Sequence, residues 1–277
     1  MFRPLNRIAS SVHLKTLRMC STSALSRCLD GKVAVVTAST EGIGLSIAQQ
    51  LGRDGAKIVV SSRKQDNVIK ATATLEKEGI DVLGIMCHVG KSEHRKNLVQ
   101  RTLSHFGGID ILVSNAAANP VFGSILQTSE EAWDKIFEVN VKSSFLLAKE
   151  MVPHMEKRGG GSIVFISSIG GYRPLQGLGA YCVSKTALFG LTKVLATECA
   201  DFGVRVNCVA PGIIKTRFSA ALWKNEAMHE EVAKQIPLKR LGKSEEVGGT
   251  VSFLCSDQAS YLTGETIVIG GGMTSRL

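Results

Sequence analysis

The sequence predicts one α/β domain, a doubly wound fold around a parallel sheet of about seven strands. Short runs rich in β-branched residues recur along the chain, separated by longer segments of helical period. The runs are apolar throughout instead of alternating with polar residues, which is typical of strands covered on both faces. Right-handed crossovers between such strands produce a doubly wound sheet.

The predicted elements follow one another from Lys32 to the end of the chain. The strands are expected at residues 33–38, 57–61, 81–86, 109–114, 162–167, 204–209 and 266–270. The helical segments are expected at residues 43–54, 66–78, 92–106, 131–157, 181–202 and 244–256. No Pro/Gly/Ser-rich linker and no fixed repeat interrupts this pattern, so we expect a single domain over residues 30–277 after a leader, residues 1–29.

Composition excludes several classes of protein. Of 277 residues, 44% are hydrophobic and 21% charged, which is enough for a folded core. No apolar run approaches the roughly 18 residues of a spanning helix, so we expect no membrane span. The seven cysteines are odd in number and lack C-x-x-C spacing, and the six histidines lack H-x-x-x-H spacing. We therefore expect reduced thiols and no metal site.

The net charge of +9 is concentrated at the N-terminus. The leader holds five basic residues and no acid, and the remaining +4 is spread without a basic block. A nucleic-acid-binding surface needs a clustered basic patch, so no nucleic-acid partner is expected. An Arg-rich, Ser-rich and acid-free leader is typical of an organellar transit peptide, although an untargeted extension has the same composition.

The chain ends in Ser275-Arg276-Leu277, a conservative variant of the S-K-L peroxisomal address. This tripeptide predicts a peroxisomal import receptor as a partner and the peroxisome as the compartment. The leader competes with this address, so the mitochondrion and the cytoplasm remain alternatives.

A turn of small residues follows the first predicted strand, at residues 37–44. Such a turn brings backbone close to a pyrophosphate, and the following helix N-terminus supplies amide donors. The alternative is an ordinary strand-to-helix turn, but the position in the first βα unit favours a dinucleotide site. The residues predicted to contact the cofactor here are Thr37, Ser39, Thr40, Gly42, Ile43 and Gly44.

A second motif places Tyr181 and Lys185 four residues apart at the start of a helical segment. This spacing puts both side chains on one helix face, where an ammonium favours the phenolate and lowers the Tyr pKa. Ser168 lies at the end of the fifth strand, where open α/β sheets bind ligands. A lone Y-x-x-x-K is usually a solvated helix face, so the argument depends on the combination with Ser168 and the glycine turn.

These motifs together resemble the short-chain dehydrogenase/reductase family, over essentially all of residues 30–277. The resemblance implies a Rossmann fold in which Tyr181 exchanges the proton and Lys185 lowers its pKa and binds the nicotinamide ribose. It implies that Ser168 orients the substrate carbonyl together with Tyr181. Asn140 is implied as a fourth member that holds a water on the proton path, although it is equally compatible with a satisfied polar residue of a helix.

The resemblance implies further cofactor contacts. Asn115, Ala116 and Ala117 would lie under the adenosine ribose, whereas Pro211, Ile214 and Thr216 would fix the carboxamide. The sequence departs from the family at Ala38, where the first glycine is usual. It departs again at His88, beside Val89, where an acid near the adenine is usual.

The end of the second strand indicates which nicotinamide cofactor is bound. An acid there would bond the 2′-hydroxyl of NAD, but the sequence has Ser62, Arg63 and Lys64. Hydroxyl and guanidinium groups suit a 2′-phosphate, so we expect NADP(H). The alternative is that Arg63 and Lys64 are only a solvated helix start.

Two segments are expected to shape a substrate pocket, residues 169–179 and a lid at residues 217–237. The lid holds Phe218, Leu222, Trp223 and Met228, which favours a small hydrophobic carbonyl substrate, unless these residues merely pack the lid down.

Within the family, the chain is similar to peroxisomal NADPH-dependent reductases of ketones, α-dicarbonyls, quinones, retinal and 3-ketosteroids. This implies a homotetramer, assembled partly through helices 131–157 and 181–202. The alternatives are a β-oxoacyl thioester reductase and a cofactor-binding regulatory protein.

Overall fold

The computed structural model describes residues 27–273, so the greater part of the predicted leader and the C-terminal tripeptide lie outside the described residues. Seven strands form one sheet in the order β3-β2-β1-β4-β5-β6-β7, and every neighbouring pair is parallel. The strands are β1 (Val33–Val36), β2 (Lys57–Ser62), β3 (Val82–Met86), β4 (Ile111–Ser114), β5 (Gly161–Ile166), β6 (Val204–Pro211) and β7 (Thr266–Ile269). The predicted fold class is confirmed.

Within residues 27–273, eight α-helices connect or follow these strands. They are α1 (Gly42–Arg53), α2 (Gln65–Lys77), α3 (Ser92–Phe106), α4 (Glu130–Phe137), α5 (Ser143–Glu156), α6 (Gly179–Glu198), α7 (Glu226–Lys234) and α8 (Ser244–Cys255). The prediction of one continuous helix over 131–157 is wrong, because a π-helical turn, Glu138–Lys142, separates α4 from α5. This turn contains Asn140, and π-helical turns are common at functional sites.

Each face of the sheet is covered by three helices. Leu98 of α3, Leu147 of α5 and Leu195 of α6 pack against one face, together with the fully buried Phe165 of β5. Residues of α1, α2 and α8 pack against the other face, around Ile47, Leu75 and Val251. Strands β1 and β4 are buried along their whole length, which explains why they lack polar alternation.

The strand order reverses direction between β1 and β4. The chain leaves β1 toward β2 on one side, and β4 continues the sheet on the other side. The segments that follow these two strands therefore diverge and open a crevice at the carboxyl edge. Ligands bind at this switch point in open α/β sheets.

The folded region begins before the predicted boundary at residue 30. Leu29 is buried in the core, and its backbone N–H donates to the carbonyl oxygen of Asp54. Within residues 27–273, none of the helices combines the length and apolar character that crossing a bilayer requires.

Candidate active site

The turn after β1 is tightly closed by its neighbours. Asn115, which follows β4, donates from its side-chain amide to the carbonyl oxygens of Thr37 and Ala38 at 3.1 and 3.0 Å. A Cβ at Gly44 would lie 2.4 Å from the Ala38 oxygen and 2.5 Å from Asn115 Nδ2. Only glycine fits at position 44, so the start of α1 packs closely against the turn and Asn115.

Two residues predicted to contact the cofactor use their hydroxyls inside the protein. Thr37 Oγ1 accepts from the backbone N–H groups of Asn115 and Ala116 at 3.0 and 3.2 Å. Ser39 Oγ donates to the Val36 oxygen at 2.6 Å and accepts from the Ser61 N–H at 3.0 Å. These two side chains therefore hold β1, β2 and β4 together around the turn.

The N-terminus of α1 suits an anion. Its first turn holds no acidic residue, and the preceding Glu41 makes no side-chain cap. The first N–H groups of a helix lack intrahelical acceptors, so those following Thr40, at Gly42, Ile43 and Gly44, are donors for a phosphate. Glu41 instead pairs with Arg217 across the crevice, with 3.3 Å between Oε1 and the guanidinium nitrogen.

The end of the crevice beside β2 and β3 has a positive rim. Arg63 and Lys64 are exposed after Ser62 at the end of β2, and His88 follows β3. Burial lowers the pKa of His88, and the positive charges of Lys135 and Arg63 lower it further. His88 Nδ1 accepts the Gly90 N–H at 3.1 Å, so the ring is fixed beside the buried Val89.

Ser168 and Tyr181 meet at the carboxyl end of β5. Both residues are buried, and the Ser168 side chain is close enough to the Tyr181 hydroxyl to act on its pKa. Ser168 Oγ also accepts the Gly170 N–H at 3.0 Å, which orients it. Burial raises the pKa of Tyr181 to about 12, although the Ser168 hydrogen bond opposes the rise. This direction is opposite to the one expected from the Tyr–Lys spacing, because desolvation dominates.

Lys185 lies one helical turn after Tyr181, with its Nζ 5.5 Å from the phenol ring centroid. Only 2% of the residue is exposed, and Nζ donates to the Ile166 oxygen at 2.8 Å. Burial lowers the Lys185 pKa to about 8. Burial therefore favours the neutral phenol of Tyr181, whereas Lys185, with a pKa of about 8, is still mostly protonated at pH 7 and has a proton to give.

Asn140 is joined to the same centre through the π-helical turn. Its Oδ1 accepts from the Ala118 N–H at 2.7 Å, and its Nδ2 donates to the Ala118 oxygen at 3.1 Å. Nδ2 also donates to Ser184 Oγ at 2.9 Å, beside Lys185. Asn140 thus fixes the segment after β4 against the start of α6, where Tyr181 lies.

The segment after β6 is ordered by two residues that sequence reasoning did not identify as positioning groups. Ser219 Oγ accepts the Thr216 N–H at 3.1 Å and bonds the Ile214 oxygen. Trp223 Nε1 donates to the Thr216 oxygen at 3.0 Å. The signal available in the sequence was the T-x-x-S spacing, which is typical of hydroxyl-stabilised turns. Pro211 ends β6 just before this segment.

The lid contributes one side chain to the reacting groups. The Phe218 ring centroid lies 6.0 Å from that of Tyr181, and the residue is 63% exposed. Leu222 and Trp223 instead pack on a small cluster that includes Ile236. Leu222 and Trp223 therefore pack the lid down, whereas Phe218 lies beside Tyr181. Met228 is exposed on α7.

These positions place the predicted residues at the carboxyl edge of the sheet, around the crevice between β1 and β4. Its floor holds Asn115 and the buried Ala116, with Ala117 exposed beside them. A turn that suits an anion and a separate pair of buried hydroxyls have the chemistry that a nicotinamide dinucleotide site requires. Among residues 27–273, no group of three or more His, Cys, Asp or Glu side chains is placed to hold a metal ion.

Comparison with known proteins identifies the family. A family model described as enoyl-(acyl carrier protein) reductase matches residues 37–274. The chain is 56% identical over 270 residues to dehydrogenase/reductase SDR family member 4 of Sus scrofa, covering 97% of each chain. It is 56% identical over 263 residues to the Homo sapiens protein of the same name, covering 95% of each.

A solved structure agrees with this assignment. The 7α-hydroxysteroid dehydrogenase complexed with NADH and 7-oxo glycochenodeoxycholic acid superposes with a TM-score of 0.86 at 28% identity. The match covers 91% of this chain and 98% of that one. The fold, the crevice and the comparisons together show that the chain belongs to the short-chain dehydrogenase/reductase family of oxidoreductases, whose fold binds a nicotinamide cofactor.

Proposed function

We propose that the protein is an NADPH-dependent reductase of hydrophobic carbonyl compounds, namely ketones, α-dicarbonyls, quinones, retinal and 3-ketosteroids. The observation that carries the proposal is the buried Ser168–Tyr181 hydroxyl pair with Lys185 one helical turn away. A neutral phenol in a water-poor site is a proton donor for an oxygen that gains negative charge. This arrangement suits reduction of a carbonyl to an alcohol.

The residues have separate tasks in this reaction. Ser168 and Tyr181 hold the substrate oxygen between two hydroxyls, and Tyr181 gives its proton to that oxygen. The nicotinamide cofactor, when bound, supplies the hydride. Lys185 binds the cofactor ribose and returns a proton to Tyr181, along a path that continues through a water held near Asn140. Phe218 covers the apolar part of the substrate above Tyr181.

The cofactor preference depends on the positive rim at the end of β2. Ser62, Arg63 and Lys64 would bind the 2′-phosphate of NADPH, with His88 beside them. The exposed guanidinium of Arg63 and the absence of an acid among residues 61–64 support this preference. The remaining cofactor contacts would be made by three segments, the turn of residues 37–44, residues 115–117 and the segment from Pro211 to Thr216.

The exposed surface supports a proposal for the assembly, and the C-terminal tripeptide supports one for the compartment. We propose a homotetramer, which the exposed Phe145 of α5 and the exposed Val183 and Val194 of α6 support, because apolar side chains on two neighbouring helices favour association. Ser275-Arg276-Leu277 supports delivery to the peroxisome by an import receptor.

The test is a panel assay with the purified full-length protein. NADPH and NADH oxidation would be followed with benzil, all-trans-retinal, a 3-ketosteroid and acetoacetyl-CoA. We expect turnover of benzil or retinal with NADPH. Preference for acetoacetyl-CoA would instead favour a β-oxoacyl thioester reductase, to which the acyl-carrier description of the family model also points. Bound NADPH without any turnover would favour a regulatory protein.

A further inference from the structure

A largely buried ion pair lies behind the positive rim and has no part in the mechanism above. It joins Arg95, in the first turn of α3, to Glu150 of α5, with 3.1 Å between Nε and Oε1. Only 4% of Arg95 is exposed. Removing two charges from water is costly, so such a pair stabilises a fold only where its polar atoms are all satisfied.

This ion pair is incompletely satisfied. Within the part of the chain that the structure describes, the second carboxylate oxygen of Glu150, Oε2, is buried and has no hydrogen-bond partner. A half-satisfied buried network is less stable than a well-packed apolar one of the same volume. Stability therefore does not explain the pair, and its effect lies in the geometry that it imposes on its neighbours.

Arg95 holds the segment that follows β3. Its Nη1 donates to the carbonyl oxygen of Val89 at 2.8 Å, while Glu150 binds the Nε edge of the same guanidinium. His94, which precedes Arg95 in α3, accepts the His88 N–H on its Nδ1 at 3.2 Å. The first turn of α3 thus fixes the backbone of residues 88 and 89, and Glu150 fixes the orientation of the guanidinium.

This segment lies where the proposed function places the adenosine half of the cofactor. His88 and Val89 lie at the carboxyl edge of the sheet, just after β3. Arg63, at the end of β2, is near enough for its charge to lower the His88 pKa. The proposed function assigns Arg63 to the 2′-phosphate, and the adenosine ribose carries that phosphate. The segment that Arg95 holds is therefore the wall beside the adenosine.

We propose that Arg95 is a positioning residue for the adenosine half of the cofactor, because it holds the Val89 carbonyl while Glu150 orients its guanidinium. The inference rests on the proposed NADPH-dependent function and adds two residues to it. In this role neither side chain contacts the cofactor, and both act through the backbone of residues 88 and 89. A preformed wall lowers the ordering cost of binding, so cofactor affinity should depend on the pair and hydride transfer should not.

The variant that tests this role is Arg95→Met/Glu150→Met in the full-length protein. Arg95→Met alone leaves the Glu150 carboxylate largely buried and unpaired, which is strongly destabilising, whereas the double variant replaces both charges with apolar side chains. We expect the double variant to unfold at a urea concentration close to that of the wild type. Arg158→Met is the control, because it breaks an ion pair to Asp110 at the amino edge of the sheet, away from the crevice.

Two probes separate the adenosine half from the rest of the cofactor. NADPH binding is followed by fluorescence, and binding of adenosine 2′,5′-bisphosphate, which lacks the nicotinamide, by isothermal titration. We expect both Kd values to rise about tenfold in the double variant, the scale of one charge-assisted hydrogen bond, and to keep wild-type values in Arg158→Met.

Turnover supplies a second readout that a merely structural role would not produce. With any carbonyl compound of the panel that is reduced, kcat at saturating NADPH should stay at the wild-type value in the double variant. The ratio of kcat/KM for NADPH to that for NADH should also stay constant, because both cofactors carry the adenosine.

Wild-type affinity of the double variant for both probes would overturn the inference. A loss of affinity for NADPH alone, or an equal loss in Arg158→Met, would also overturn it, because the effect would then not belong to the adenosine wall. A wild-type protein that binds NADPH but reduces no carbonyl compound would instead overturn the proposed reductase function, and the Kd comparison would still decide the role of Arg95.

Discussion

Asn115 holds the carbonyl oxygen of Ala38 at 3.0 Å and thereby fixes a left-handed backbone at a residue that has a side chain. Ala38 has a φ of +49°, one of two positive values among the non-glycine residues described. A left-handed backbone at a residue with a side chain costs about 1 kcal/mol of strain energy, and glycine has no such strain. The family's usual glycine at this position is explained by this backbone conformation.

Replacing Ala38 with glycine should therefore stabilise the protein. We expect Ala38→Gly to raise the free energy of unfolding by about 0.5 kcal/mol, because the relief of strain exceeds the added entropy of the unfolded chain. The variant should also bind NADPH more tightly, because removing the Ala38 methyl group lets the backbone of the turn come closer to the phosphate. Urea unfolding and fluorescence titration measure the two effects.

Lys239→Gly is the matched control for this prediction. Lys239 has a φ of +57° and lies outside the phosphate turn, so glycine there should stabilise the fold without changing the Kd for NADPH. A destabilised Ala38→Gly protein would contradict the strain argument.

Tyr181→Phe should separate chemistry from binding. The hydroxyl that gives the proton is removed while the ring remains, so we expect kcat to fall by at least about 100-fold with the Kd for NADPH unchanged. Tyr261→Phe, at a fully exposed tyrosine, should retain wild-type kcat. A Tyr181→Phe enzyme with most of its activity would remove Tyr181 from the mechanism.

Arg63→Asp should change the cofactor preference. An aspartate would repel the 2′-phosphate of NADPH and accept from the 2′-hydroxyl of NADH. We expect the ratio of kcat/KM for NADPH to that for NADH to fall by about 100-fold, since charge-assisted bonds contribute about 1.5–3 kcal/mol. Arg101→Asp on the exposed face of α3 should leave the ratio unchanged. An unaltered ratio in Arg63→Asp would contradict the assignment of NADPH.

Several of these features were predictable from the sequence, and others were not. Unbroken apolar runs such as Val33–Val36 are sufficient to predict buried parallel strands, and the sheet of seven strands is confirmed. Motif spacing brought Ser168, Tyr181 and Lys185 to one place. The π-helical turn at Asn140 was not predictable, because the bonds that hold Asn140 in place, to Ala118 and Ser184, join residues far apart in the sequence. The direction of the Tyr181 pKa shift likewise depends on burial, which cannot be inferred from the spacing of Tyr181 and Lys185 in the sequence.

Lys185 should destabilise the cofactor-free protein at neutral pH. Its pKa is lowered to about 8 by burial, so the folded state disfavours the charged form that the unfolded chain keeps. We expect Lys185→Met to raise the free energy of unfolding at pH 7 by on the order of 1 kcal/mol.

The pH dependence of this difference has a definite sign. Below pH 8 the lysine is charged in both states and the folded state bears the whole cost. As pH rises from about 8 to about 10.4, the unfolded chain binds more protons than the folded one, so the wild type gains stability relative to Lys185→Met. Unfolding curves at pH 7 and pH 10 measure the change, with the exposed Lys193→Met as control. A constant difference across this range would contradict a lowered Lys185 pKa.

Ser219 should control how well the segment after β6 holds the nicotinamide carboxamide. Its hydroxyl accepts the Thr216 N–H and bonds the Ile214 oxygen, so it fixes both residues proposed to bind that group. We expect Ser219→Ala to raise the Kd for NADPH about fivefold, the effect of one lost hydrogen bond, and Ser219→Thr to restore most of the affinity.

NADPH deuterated on one face of C4 supplies a second measurement. A loosened carboxamide allows the ring to turn over, so deuterium transfer should lose stereospecificity in Ser219→Ala alone. Wild-type affinity together with wild-type stereospecificity in that variant would show that Ser219 does not position the ring.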